Sequence, residues 1–280
     1  MKNISFTKMH GCGNDFIIID NRNGMLQGID LEKFVKDCCN RKFHIGADGL
    51  MLIENSQTSD FSMRYFNADG SEGKMCGNGA RCIANYAFQH GIASEQMVFE
   101  TLAGLYKARI LDDENVILYF PPVPVREMKL HRNLKLDQKQ YDYHFLEVGV
   151  PHTIIFQKDR LIDGSFEKWG RRVRHHHHFS PNGTNVNLVE IKENGKLFIR
   201  SYERGVEAET LACGSGATAA AIVYALIYQV QSPVHVETKG GKLKIHFEMH
   251  ESEINSITLT GPARTSFSGS FVYETSERSV

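Results

Sequence analysis

Two octapeptides hold the residues best suited to chemistry: Met75-Cys76-Gly77-Asn78-Gly79-Ala80-Arg81-Cys82 and Ala212-Cys213-Gly214-Ser215-Gly216-Ala217-Thr218-Ala219. Both read Cys-Gly-x-Gly-Ala and run on into an apolar pattern. Ala80, Ile83, Ala84, Ala87 and Phe88 recur at i, i+3, i+4, i+7 and i+8, and so do Ala217, Ala220, Ala221, Tyr224 and Ala225. That period is one face of a helix, so each cysteine stands just ahead of a helix N-terminus. Unpaired N–H groups and the positive end of the helix dipole point there. The placement predicts that both thiols ionise more readily than a free cysteine. Glycines after each cysteine let a ligand approach the backbone, and the same N–H groups suit a carboxylate. The chemistry this serves is two-base proton transfer at carbon. One thiolate removes a proton, the other thiol returns one to the opposite face, and the helix N-termini stabilise a carbanion beside a carboxylate.

The repeat extends past the cysteines. Glu100-Thr101 begins 24 residues after Cys76, and Glu237-Thr238 begins 24 after Cys213. Asn14 lies 62 residues before the first cysteine and His152 lies 61 before the second; Arg64 and Arg200 lie 12 and 13 before theirs. Matches in one order at nearly constant offsets imply duplication. The predicted fold is α+β: two pseudo-symmetric domains, each a mixed β-sheet curled around a central helix. Pro121-Pro122-Val123-Pro124 marks the boundary. The halves are then residues 1–120 and 121–263, with the tail 264–280 docking on the first half through Phe267, Phe271, Val272 and Tyr273. In the first half, strands are expected at 3–9, 16–20, 50–54, 61–66, 97–101, 105–111 and 115–120, with a helix at 31–40 capped by Asp30. In the second, strands are expected at 144–149, 151–157, 184–191, 196–203, 233–238, 242–249 and 254–260, with helices around 160–170 and at 214–229. Asn194-Gly195 is the hairpin turn.

Composition narrows the function. A formal net charge of -1, from 32 basic and 33 acidic residues, gives no footprint for nucleic acid or an anionic membrane. The N-terminus lacks an apolar signal region, and the run from Ala217 to Tyr228 is too short to cross a bilayer. The expectation is a soluble cytoplasmic enzyme. No P-loop, dinucleotide fingerprint or zinc-type cysteine spacing is present, so neither cofactor nor metal is expected. Cys38, Cys39 and Cys82 read as core residues, and Cys12 sits in a Gly-rich turn without an assigned role. His175-His176-His177-His178 reads as an exposed loop rather than a helical metal site.

The motifs resemble diaminopimelate epimerases. Phe6-Thr7-Lys8-Met9-His10-Gly11-Cys12-Gly13-Asn14-Asp15-Phe16 is similar to the family's opening motif. Tyr65 to Glu72 followed by Met75 to Cys82 resembles its signature, and Tyr202-Glu203-Arg204-Gly205 followed by Glu209 to Gly216 its second. Thr184-Asn185-Val186-Asn187 and Leu259-Thr260-Gly261-Pro262-Ala263 also fit. The resemblance implies a cofactor-independent enzyme that interconverts LL- and meso-2,6-diaminoheptanedioate in lysine biosynthesis. It implies two domains with the site in the cleft between them, and a homodimer. It makes Cys76 and Cys213 the two bases and sets Gly77, Asn78, Gly214 and Ser215 on the reacting carboxylate. Asn14, Asn67, Asn185 and Arg204 would bind the rest of the substrate, and His152 and Glu203 would flank the cysteines, tuning their protonation or holding the reacting amine. Adjacent charges on a strand point to opposite faces, so one of Glu203 and Arg204 must face inward or sit on a bend. Val150 stands where the family commonly has asparagine, the loop Val206-Glu207-Ala208 is longer than usual, and Gly49 and Cys12 are less usual at their places. Proline-type racemases share the two-cysteine chemistry, and a redox or metal-binding role for Cys76 and Cys213 is the reading from a different class.

Overall fold

A computed structural model of the 280-residue chain describes residues 1–157 and 165–274. The fold is α+β and sheet-dominated, with four α-helices among the described residues. It separates into two compact units, Met1–Leu118 with the tail from Pro262, and Tyr119–Gly261.

The first unit runs β1 (Lys2–Gly11), β2 (Asn14–Asp20), α1 (Leu31–Cys39), β3 (Gly49–Glu54), β4 (Phe61–Asn67), β5 (Glu72–Gly73), α2 (Gly77–Gln89), β6 (Gln96–Thr101), β7 (Gly104–Ile110) and β8 (Asn115–Tyr119). β1 pairs antiparallel with β2, β2 parallel with β3, β3 antiparallel with β4, β4 parallel with β6, and β6 antiparallel with β7. The tail strand Arg264–Tyr273 lies antiparallel along β1, and its Phe271 and Tyr273 pack on Phe34 of α1. Asp30 caps α1 by accepting from the Lys33 N–H at 3.2 Å.

The second unit runs β9 (Val123–Pro124), β10 (Lys129–Leu136), β11 (Lys139–Val148), β12 (Val150–Phe156), α3 (Phe166–Arg174), β13 (Asn185–Ile191), β14 (Leu197–Glu203), β15 (Ala208–Thr210), α4 (Gly214–Tyr228), β16 (Val234–Thr238), β17 (Gly241–Met249) and β18 (Glu253–Pro262). Its pairings repeat those of the first unit in order: β11 with β12 antiparallel, β12 with β13 parallel, β13 with β14 antiparallel, β14 with β16 parallel, β16 with β17 antiparallel. β10, antiparallel on β11, occupies the place that the tail strand takes on β1. Each unit therefore builds the same sheet, and the chain's last strand supplies in one what a local hairpin supplies in the other.

Each sheet closes on one helix. α2 is buried from Asn78 to Ala87, and α4 is buried along nearly its whole length. A helix apolar on all sides belongs in a core. The small residues Ala217, Ala219, Ala220 and Ala221 let strands close around it, and full burial of Ile222 and Val223 contributes about 1.5–3 kcal/mol each.

Three local readings change. The helix expected around 160–170 is Phe166–Arg174, and residues 160–164 lie outside the described residues. The strand expected at 144–149 is the second half of β11, whereas β10 and the first half of β11 have no counterpart among the expected strands. The turn between them carries Asp137 at φ 54° in place of a glycine, and basic residues mask the alternation that buries only Leu134 and Leu136 of β10. The three-residue β15 was also unexpected. The Asn194-Gly195 turn joins β13 to β14 as expected, with Gly195 at φ 75°.

Candidate active site

Each motif cysteine is the N-cap of its unit's central helix. Cys76 precedes α2 with an extended backbone (φ -137°, ψ 117°), and Cys213 precedes α4 likewise (φ -114°, ψ 110°). Their carbonyls accept the first helical bonds, from the N–H of Ala80 at 2.8 Å and of Ala217 at 2.9 Å. Neither cysteine makes a standard side-chain capping bond, although the Gly216 N–H bears on the Cys213 sulfur; a helix N-terminus of this kind suits a carboxylate. The glycines are sterically required. A Cβ on Gly79 would lie 2.9 Å from the Met51 sulfur, and one on Gly216 would collide with Asn187 and stand 3.2 Å from the Cys213 sulfur.

Around Cys76 the polar groups are mostly amides. Asn14, at the start of β2, donates from Nδ2 to Asp48 Oδ2 at 2.8 Å. Its Oδ1 therefore turns to the Cys76 sulfur, 3.8 Å away, and accepts from Asn78 Nδ2 at 3.2 Å. Asp48 is held by Arg41 at 2.7 Å, and Arg41 also grips Asp15 at 2.6 Å. Burial opposes ionisation of Asp15, but bonds from Arg41 and Lys8 outweigh it and hold its carboxyl well below the usual range. Arg81 is fully buried and donates to the Gly77 carbonyl at 3.1 Å and to Asn78 Oδ1 at 2.9 Å. That contact aims the Asn78 NH2 at Asn14. Cys12 lies beside Arg81, and burial pushes its thiol up against the pull of that cation. Asn67 ends β4 with its amide engaged by its own turn, accepting from the Tyr65 hydroxyl at 2.7 Å and donating to Ser71 Oγ at 3.0 Å.

Around Cys213 the groups are largely titratable. His152 on β12 is fully buried; its Nε2 lies 3.0 Å from Ser215 Oγ, which lies 3.7 Å from the Cys213 sulfur. Burial, and then the Arg204 charge, lower His152 to about 3, so the ring is neutral. Glu203 ends β14, and its Oε1 accepts from the Thr210 hydroxyl. Asn185 accepts from the Arg204 N–H at 2.7 Å, and the Arg204 guanidinium donates to the Asn182 carbonyl at 3.4 Å. In the lengthened loop, Glu207 accepts from Arg174 at 3.1 Å and from the Gly205 N–H at 3.2 Å, which ties the extra residue to the end of α3. Val150 opens β12 opposite Val148.

The Cys213 environment corrects one expectation. Its thiol is raised well above the ordinary value rather than lowered. Burial is the largest cause and the Glu203 carboxylate adds to it, while the Gly216 N–H and Ser215 hydroxyl only partly oppose them. Desolvation outweighs the helix N-terminus.

Sequence reasoning missed four residues: Asp48 and Arg81, which set the amides around Cys76, and Asn187 and Thr210, which contact His152 and Glu203. Asn187 was legible in principle. In the Asn185-Val186-Asn187 triplet the alternation of a strand puts both asparagines on one face, and both are buried. The Arg64 and Arg200 pair has a common task. Arg64 binds Glu72 on β5 at 2.7 Å, and Arg200 binds Glu209 on β15 at 2.7 Å, each bidentate and each bracing the strand just before its cysteine.

A doubled sheet, closed on a central helix in each unit, is a class of fold seen in several solved structures. A PhzF-family phenazine biosynthesis protein of Bacillus anthracis superposes with a TM-score of 0.76 at 15% identity, covering 98% of this chain and 100% of that one. A probable proline racemase from Agrobacterium radiobacter K84 gives 0.70 at 15% identity, covering 97% and 93%. Sequence narrows the class. The family profile described as diaminopimelate epimerase matches residues 6–123 and 144–266. A diaminopimelate epimerase of Hydrogenobaculum sp. (strain Y04AAS1) is 41% identical over 279 residues, 96% of this chain and 98% of its own. One of Aquifex aeolicus (strain VF5) is 39% identical over 277 residues, 95% and 97%. The chain belongs to the diaminopimelate epimerase family.

Proposed function

We propose that this chain interconverts LL- and meso-2,6-diaminoheptanedioate in lysine biosynthesis, with Cys76 and Cys213 as its two bases and no cofactor. The observation that carries the reading is the cysteine N-cap of each central helix, in a chain matched to diaminopimelate epimerases along nearly its full length. The reacting carboxylate takes the first-turn N–H groups of Gly77, Asn78, Gly214 and Ser215. They stabilise the negative charge that spreads onto it as the α-proton leaves. One cysteine accepts that proton as a thiolate, and the other delivers its thiol proton to the opposite face. Binding substrate expels water, which strengthens each of these interactions. Asn14 and Glu203 flank the sulfurs, His152 acts through Ser215, and Asn67, Asn185 and Arg204 take the distal amino-acid end. The Arg204 cation favours a substrate with a charged far end over a proline-type ring. The enzyme works in the cytoplasm as a homodimer.

The test is incubation with LL-diaminopimelate in reducing buffer, without added cofactor, followed by NMR. The expected result is the meso isomer from the wild type and its loss in both Cys76→Ala and Cys213→Ala. Turnover that survives either substitution would sink the two-base assignment, and a wild type inert toward diaminopimelate would sink the substrate.

A further inference from the structure

Asn187 is fully buried on β13, and the donors and acceptors around it leave one arrangement of its amide. Its Nδ2 lies 3.3 Å from the Thr153 carbonyl, which can only accept, so the NH2 group must stand on that side. The same Nδ2 is 3.2 Å from His152 Nδ1, and Oδ1 accepts from the Ser201 hydroxyl at 2.9 Å on the opposite side. His152 Nδ1 is thus an acceptor and carries no proton. In a neutral ring the proton then sits on Nε2, which donates to Ser215 Oγ. That oxygen, occupied as an acceptor, is left with its own hydrogen to give, and the neighbour within reach is the Cys213 sulfur.

We propose that Asn187 is a positioning residue for the Cys213 half-reaction: it fixes His152 as the Nε2–H tautomer, and His152 in turn makes Ser215 a hydrogen-bond donor to the Cys213 thiolate. This rests on Cys213 being one of the two bases. The sulfur has two settings. As a thiol it donates toward Glu203. Once its proton has gone to the substrate carbanion, it accepts the Ser215 O–H and the Gly216 N–H. The charged groups bearing on the relay are Glu203, at the end of β14, which acts on the sulfur, and Arg204, which acts on His152. Gly216 belongs to the same device, because a side chain there would displace Asn187.

The experiment uses the full-length protein with 15N-labelled histidine and 13Cβ-labelled cysteine, assigning His152 and Cys213 by the loss of their signals in His152→Asn and Cys213→Ala. The wild type should show His152 protonated at Nε2 and bare at Nδ1. Asn187→Asp replaces the donor with an acceptor, so the ring should flip to the Nδ1–H tautomer and Ser215 should turn its hydrogen to Nε2. The Cys213 titration should then move up by about one pH unit, and kcat should fall about tenfold with KM within about threefold. Ser215→Ala should raise the same titration, and adding Asn187→Asp to it should change nothing further. A wild-type His152 protonated at Nδ1 would overturn the proposal even if Asn187→Asp does not fold. So would a flipped ring with an unmoved Cys213. If these shifts appear in a protein that does not turn over diaminopimelate, the relay stands and the substrate reading falls.

Discussion

The two units place a cysteine at the same structural position and surround it differently. By strand register Phe16 corresponds to His152 and Asn14 to Val150, while Asn67 corresponds to Glu203 and Asn78 to Ser215. The first half-site therefore holds its sulfur among amides, whose hydrogen-bonding sense is set by Asp48 and Arg81. The second holds its sulfur between a carboxylate and a histidine–serine pair. Cys76 is half-buried and Cys213 is only 5% exposed, so the half-site with titratable partners is also the more desolvated. Duplication preserved the scaffold that delivers a sulfur to a helix N-terminus. The partners diverged, and they decide how each sulfur holds or releases its proton.

Substitutions that erase either sulfur should have the largest effect. Cys76→Ala and Cys213→Ala should each lower kcat by about 10³-fold or more, read as loss of meso product by NMR, because a two-base reaction has no spare member. A tenfold loss in one and total loss in the other would break the comparison at its root.

The Arg–Glu braces should differ next. Arg200 and Glu209 are 9% and 10% exposed, whereas Arg64 and Glu72 are 32% and 29% exposed. Glu209→Gln should destabilise by about 3 kcal/mol, because it removes the carboxylate that a buried guanidinium grips with two bonds, and Glu72→Gln by less than about 1 kcal/mol. Urea unfolding of the two variants checks this, and equal losses would contradict it.

A smaller contrast concerns the flanking groups. Glu203→Gln should lower kcat by about 10- to 100-fold, since it removes a charge beside Cys213. Asp48→Asn should lower it only about three- to tenfold, since it merely frees the Asn14 amide to rotate. Steady-state kinetics in both directions rank the two, and the reverse order would count against the amide-versus-titratable distinction.

Acid should separate the units most gently. In the second, burial depresses His152 to about 3 and His144 to about 4, both from 6.5. The unfolded chain binds these protons first, so their contribution is complete above pH 6.5 and drains away as pH falls toward 4 and then 3. Asp15 in the first unit is depressed from 3.8, so its contribution persists until pH falls below that value. Hydrogen exchange at pH 5 should show faster opening in the second unit than at pH 7, with the network around Asp15 unchanged. Loss of the Asp15 network first would reverse the assignment.

Much of this was legible in the chain. Helical spacing after each Cys-Gly-x-Gly-Ala located α2 and α4, and the constant offsets exposed the duplication before any strand was placed. What stayed hidden were features whose signal lies in three dimensions. Arg81 reads as a polar interruption of an apolar helix, and only the fold shows its guanidinium filling the space beneath Asn78. Thr210 reads as a loop residue until β15 brings it to Glu203. The sign of the Cys213 shift was misread because helix position is visible in sequence whereas burial is not. β10 and the start of β11 stayed hidden because the turn between them uses Asp137 in place of a glycine.

The most direct test of two unlike bases acting on one carbon is the early-time label distribution when LL-diaminopimelate turns over in D2O. Two bases predict deuterium at the α-carbon of the meso product while remaining LL substrate is still protonated. Substrate and product that gain deuterium at equal rates from the first turnovers would mean one base serves both faces, and would contradict the account.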